Sequence, residues 1–116
     1  MRNVKIGGEE YRVMATPITL FFYKKEFKSD LIGDFVSLQN MQNDPHSFDG
    51  AVFLQITWAM IKTAQKNTTP AFEQWINGLP YVNFDDVDML TGIFNEAIEG
   101  FFRSERQVPE PEKSKK

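Results

Sequence analysis

Between Phe48 and Arg103 the sequence carries two long stretches of helical periodicity on either side of a short segment that begins at Thr69-Pro70 and contains Trp75. Each apolar stripe needs a surface to pack on, so this order commits the chain to helices packed on helices. From Phe48 to Gln65 the positions Phe48, Val52, Phe53, Leu54, Ile56, Trp58, Ala59, Met60 and Ile61 cover too wide an arc for a surface helix, which places this helix at the centre. The last stretch runs over Val87, Leu90, Ile93, Phe94, Ala97, Ile98, Phe101 and Phe102 and is the cleanest amphipathic pattern. The carboxylates of Asp85 and Asp86 suit its N-terminus. Between the two, Thr69-Pro70 offers a cap and a proline at the first helical position. Phe72, Trp75 and Ile76 share a face of that short helix, and Asn77-Gly78 and Pro80 close it.

The N-terminal part is built differently. Val4 and Ile6, then Tyr11 and Val13, alternate with polar neighbours around Gly7-Gly8-Glu9, which is the period and turn chemistry of a short β-hairpin. An isolated hairpin is marginal in water, so it must lie on the helices or pair with another chain's strand. Thr16-Pro17 then starts a first helix with Ile18, Leu20, Phe21, Phe22, Tyr23 and Phe27 as its apolar positions and Lys24-Lys25 near its end. Ser29-Asp30 caps a second, in which Leu31, Ile32, Phe35, Val36 and Leu38 face inward, and Asn43-Asp44-Pro45 ends it in a turn. The fold class is therefore mainly α with a small N-terminal β-hairpin (α+β), a compact bundle of about five helices. Gly33, Gly92 and Gly100 interrupt helical patterns at about 1 kcal/mol each, which close helix packing explains, with a bend or a partner's close approach as the alternative.

A chain of 116 residues holds one core, and the eleven phenylalanines give it more aromatic surface than a minimal core requires. Residues 1–104 form the domain, and the charged tail 105–116, whose end Pro109-Glu110-Pro111-Glu112-Lys113-Ser114-Lys115-Lys116 has no large apolar side chain to bury, is read as disordered. The net charge of −3 and the lack of a basic stripe before that tail argue against nucleic-acid binding. No cysteine is present, which excludes disulfides and thiolate chemistry and fits a cytoplasmic protein. The start, Met1 to Gly8, lacks the apolar run of a signal peptide, and no uncharged apolar run is long enough to span a membrane. Asn67-Thr68-Thr69 spells a glycosylation acceptor but reads as loop and cap.

Catalytic patterns are missing as well. His46 is the sole histidine, so no histidine-based triad or metal pair can form, and it reads as a loop residue. Asp85, Asp86 and Asp88 lack the glycine and terminal glutamate of a calcium loop and read as helix capping. Glu9 and Glu10 point to opposite faces of a strand, and Gly7-Gly8 leads into a strand rather than a phosphate-binding helix. The expectation is a non-enzymatic protein without metal or cofactor. Trp58 and Trp75 are read as core residues whose ring N–H groups reach a carbonyl or water, with Trp75 in a docking patch as the alternative. Phe22, Tyr23, Trp75, Phe101 and Phe102 are the candidates for a partner-binding surface, because each stands next to polar residues on a helix.

The order of elements resembles the tail assembly chaperones of long-tailed, non-contractile bacteriophages and related prophages. The resemblance covers about residues 3–104. It rests on the strand pair Val4 to Met14 followed by the Thr16-Pro17 helix, and on Ile56-Thr57-Trp58-Ala59-Met60-Ile61-Lys62 in the central helix. Thr69-Pro70-Ala71-Phe72-Glu73-Gln74-Trp75 and the closing Ile93-Phe94-Asn95-Glu96-Ala97-Ile98-Glu99-Gly100-Phe101 complete it. It implies a cytoplasmic protein of the bacterial host that binds the tape measure protein, keeps its helices soluble and helps tail-tube subunits polymerise around it. Self-association and a frameshifted longer form are further implications, the latter matched by the lysine-rich end Lys113-Ser114-Lys115-Lys116. A phage head-tail connector or tail-completion protein is the alternative reading, a cellular adaptor a third, and a DNA-binding regulator, which would need a basic recognition helix, a fourth.

Overall fold

The computed structural model describes residues 1–41 and 48–107. The turn at Asn43-Asp44-Pro45, His46 and residues 108–116 of the tail lie outside the described residues. The chain forms strands β1 (Arg2–Ile6) and β2 (Glu9–Val13), then helices α1 (Pro17–Phe27), α2 (Leu31–Met41), α3 (Gly50–Ala64), α4 (Phe72–Gly78) and α5 (Val87–Gln107). This is the mainly helical fold with an N-terminal hairpin that the residue pattern predicts.

The hairpin pairs antiparallel from Arg2 with Val13 to Ile6 with Glu9, leaving Gly7 and Gly8 as a two-residue connection. Both have positive φ, 61° and 88°, the backbone a tight hairpin turn demands and a side chain resists. A Cβ at Gly7 would also lie 2.8 Å from the Tyr81 carbonyl oxygen, so the segment after α4 wraps against this turn. Val4, Ile6 and Val13 are buried, which puts one hairpin face on the helices: β1 lies on α5 and β2 on α3. The Met14 N–H donates to the Met60 carbonyl at 3.1 Å, tying the hairpin's exit to the middle of α3.

α3 is central, as its wide apolar arc requires, with Phe53, Ile56, Trp58, Ala59, Met60 and Ile61 all buried. It starts later than Phe48, at Gly50, because the Asp49 carboxylate caps it by accepting the N–H groups of Ala51 and Val52 at 3.1 and 3.2 Å. α1 and α2 pack on it and on each other. Asp30 caps α2 through the Gly33 N–H at 3.3 Å, as predicted. Of the inward positions named for these helices, Leu31, Phe35, Leu38 and Tyr23 are buried, while Ile18, Phe21 and Val36 are exposed. In their place Thr19 is buried, its hydroxyl 2.6 Å from that of Thr63 on α3. Paired hydroxyls thus take a core position that an apolar count assigns to neighbours.

Thr69-Pro70 does not open α4, which begins at Phe72 after Ala71. The Thr69 hydroxyl instead donates to the Gln65 carbonyl at 2.8 Å, and the Pro70 carbonyl accepts the Trp58 ring N–H at 2.9 Å. Both residues fasten the loop to α3. α5 is capped by Asp86, whose carboxylate accepts the Met89 N–H at 3.2 Å, and it extends to Gln107, past the boundary at residue 104. Gly92 and Gly100 are sites of close approach, but to the hairpin rather than to a helix: Gly92 lies under Val4, and Gly100 under Ala15. Gly33 is exposed and packs against nothing but its cap Asp30.

Candidate partner-binding site

The aromatic residues sort into two chains of contacts that share α3. One links Tyr23, Phe27, Trp58, Phe72, Trp75 and Tyr11, with successive ring centroids 4.9 to 6.3 Å apart. It is closed. Tyr23 is 0 % and Trp75 5 % exposed, so neither presents the partial surface proposed for it, and both are core residues. The cause is packing: the Trp75 ring meets Tyr11 edge-on at 5.9 Å, and the Tyr23 hydroxyl donates to Asp34 Oδ2 at 2.7 Å. Burial, followed by this bond to a carboxylate, pushes the Tyr23 phenol far above its ordinary range. Among the described residues, none accepts a hydrogen bond from the buried Trp75 ring N–H, whereas that of Trp58 donates to the Pro70 carbonyl.

The second chain runs from Phe102 through Phe35, Phe94 and Phe53 to Phe48 and Phe84, with centroids 5.6 to 6.3 Å apart. This one opens outward. Above Phe94, Phe48 and Phe84 lies a groove of about 700 Å³ running along α5 past Val87, Leu90 and Ile98, with Asp85, Thr91, Asn95 and Gln39 as its polar lining. Val87 is 69 % and Phe84 37 % exposed, so the apolar lining reaches solvent. The groove's position follows from α5's attachment. Met89, Ile93 and Ala97 face inward, and Leu90, Phe94 and Ile98, one position further round the helix, form the groove's wall.

Phe102 is half-buried and stacks on Phe35, which places it at the far end of the same aromatic chain. Phe101 is half-buried against the core. Phe22 is half-buried on α1 with the Lys62 ammonium 5.3 Å above its ring, next to the 57 % exposed Phe21. The five candidates therefore do not form one patch. Val87, which the residue pattern placed in the core, and Phe84, which it passed over, are more exposed than any of the five.

A charge pattern accompanies the groove. No lysine or arginine occurs between residues 29 and 61 or between residues 67 and 102, the two stretches that supply every groove residue. Asp85, Asp86 and Asp88 stand at its α5 end. Lysines instead cluster at the end of α1, as Lys24, Lys25 and Lys28.

Glu96 is the functional-looking residue that the pattern hides. It sits on the buried stripe of α5 at 4 % exposure, where its carboxylate accepts Arg2 Nε at 3.0 Å and the Ala15 N–H at 3.2 Å, with the Met1 nitrogen 3.3 Å away. Burial pushes its carboxyl up, but the Arg2 guanidinium, the Ala15 N–H and the Met1 amino group outweigh that and hold it below the usual carboxylate range. Arg2 reaches Glu99 too, at 2.8 Å. These contacts clamp α5 to the hairpin and are structural in form. Among the described residues, no cluster of acidic, histidine or cysteine side chains could hold a metal ion, and no helix is long and apolar enough to cross a membrane. No protein-family model matches the sequence, and neither a curated protein nor a solved structure does.

Proposed function

We propose that this chain is a tail assembly chaperone of a long-tailed, non-contractile phage or prophage. In this reading it binds the tape measure protein in the bacterial cytoplasm, keeps that protein's helices soluble and helps tail-tube subunits polymerise around it, without catalysing a reaction. The observation that carries the reading is the open apolar groove along α5, where Val87 is 69 % exposed. A groove of this shape and lining suits an amphipathic helix laid along it, the mode by which a small folded domain shields apolar helical segments from water. The resemblance in element order over residues 3–104 points the same way.

Co-expression with the tape measure protein of the same genome, followed by size-exclusion chromatography, tests the proposal. The chaperone reading expects the tape measure protein to become soluble only in the presence of this chain and to co-elute with it, and it expects purified virions to lack the chain. A ring retained in the finished particle, with the tape measure protein insoluble, would replace it with the connector reading.

A further inference from the structure

The groove and the charges around it lie on the same face, and together they select an occupant. Its wall is Leu90, Phe94 and Ile98, its open edge Val87 and Phe84, and its polar end Asp85. Leu90, Phe94 and Ile98 recur once per helical turn, so the wall runs parallel to α5 for more than two turns. An elongated apolar track of that form accepts the apolar stripe of a second helix, whose polar flanks would then lie beside the groove's margins. Among the described residues that line the groove, the one charged side chain is the carboxylate of Asp85. The groove-forming stretches contain no lysine or arginine, Asp85 is exposed in the groove's lining, and Asp88 is exposed in the first turn of α5. A flank of glutamates would meet like charge there, and a flank of lysines or arginines would meet its complement.

We infer that this groove binds a basic amphipathic helix, with an apolar stripe at spacings of three and four residues flanked by lysine or arginine. The inference rests on the chaperone reading and deepens it: the segment of the tape measure protein held by this chain is of that chemistry, and it is held on α5.

The test uses the full chain and two synthetic helices of about 18 residues, five turns long, with the same leucine stripe and either lysine or glutamate on the flanks. Binding is read by fluorescence anisotropy, alongside sedimentation of the protein alone. The leucine-lysine peptide is expected to bind at least about tenfold more tightly than the leucine-glutamate peptide. Val87→Glu is the decisive variant. It adds a negative charge, so attachment by charge alone would tighten, whereas docking in the groove is expected to weaken about tenfold or more. Replacing Asp85 and Asp88 by lysine together is expected to erase the preference between the peptides, while Asp86, the helix cap, is left in place.

Equal affinity for both peptides, or unchanged or tighter binding by Val87→Glu, overturns the inference. So does a stable dimer that Val87→Glu disrupts in a protein that binds neither peptide, because a second copy is then the occupant. The two proposals fail separately. Capture of the tape measure protein unaffected by Val87→Glu leaves the chaperone standing and refutes the groove's role. Selective peptide binding without capture leaves the groove standing and refutes the assembly role.

Discussion

The two aromatic chains of this fold start from the same helix and end differently. On one side of α3, Trp58 begins a run through the half-buried Phe27 and Phe72 that closes at Trp75, 5 % exposed. On the other, Phe53 begins a run that α2 and α5 cover only in part, ending at Phe84, 37 % exposed, beside Val87. The difference lies in how each covering element is held. α4 is short, and the loop before it is fastened to α3 by the hydrogen bonds of Thr69 and Pro70. α5 is held along its inner face by the hairpin, through Glu96 and the close approaches at Gly92 and Gly100, which leaves its other flank free to border a groove. Aromatic surplus in a small domain is thus not one property. Both clusters reach the core, but one ends at a buried indole and the other at an exposed phenylalanine beside a groove.

That contrast can be broken in several places. The largest expected effect is in the closed cluster: Trp58→Ala removes the ring between Phe27 and Phe72 and the bond to Pro70, and is expected to cost about 4 kcal/mol in urea unfolding. A loss under about 1 kcal/mol would mean that this cluster is not the stabilising one. Next is the clamp that holds α5. Glu96→Gln is expected to cost about 2 kcal/mol, because the buried Ala15 N–H and the half-buried Arg2 guanidinium lose a charged acceptor. Its pH signature is specific. The carboxyl of Glu96 titrates lower in the folded chain than in the unfolded one, so its contribution is complete above the ordinary carboxylate range and is lost as pH falls through the depressed value. Acid unfolding followed by circular dichroism should therefore show a shallower decline for Glu96→Gln than for the natural chain.

A smaller effect is expected from Tyr23→Phe, about 1 kcal/mol, since Asp34 keeps the Ser29 hydroxyl at 2.8 Å when the phenol is lost. The smallest belongs to the open cluster. Val87→Glu should change stability by less than about 0.5 kcal/mol, as the side chain is 69 % exposed. A cost above about 2 kcal/mol would show that the residue belongs to a core and that the groove is closed in solution.

How far the sequence reveals this depends on which signal each region uses. The hairpin was legible because Gly7-Gly8 and the alternation of Val4, Ile6, Tyr11 and Val13 agree, and α3 was legible because its apolar arc is too wide for a surface. The α5 pattern marks an amphipathic helix, but periodicity alone does not say which flank of the stripe meets the core. Val87 therefore read as buried, and Met89, at 2 % exposure, went unnoticed. Glu96 was hidden for a related reason: a carboxylate on an apolar stripe is legible as buried only once Arg2, some ninety positions away in the chain, is known to reach it. Tyr23 and Trp75 read as surface candidates from their polar neighbours in sequence, which say nothing about the rings of Tyr11 and Phe27 that cover them. The absence of lysine and arginine from residues 29–61 and 67–102 is fully present in the sequence. It acquires meaning only when Gln39 and Phe48 from the first stretch and Phe84 to Ile98 from the second are seen to line one groove.

The most direct test sets the groove against a second exposed aromatic side chain, Phe21 on α1 beside Lys25. The tape measure protein would be co-expressed with the natural chain, with Val87→Glu and with Phe21→Glu, and the soluble complex measured by size-exclusion chromatography. The account predicts that Val87→Glu loses the complex while Phe21→Glu retains it, with all three chains folded by circular dichroism. Loss with Phe21→Glu and retention with Val87→Glu would contradict it and move the working surface to α1.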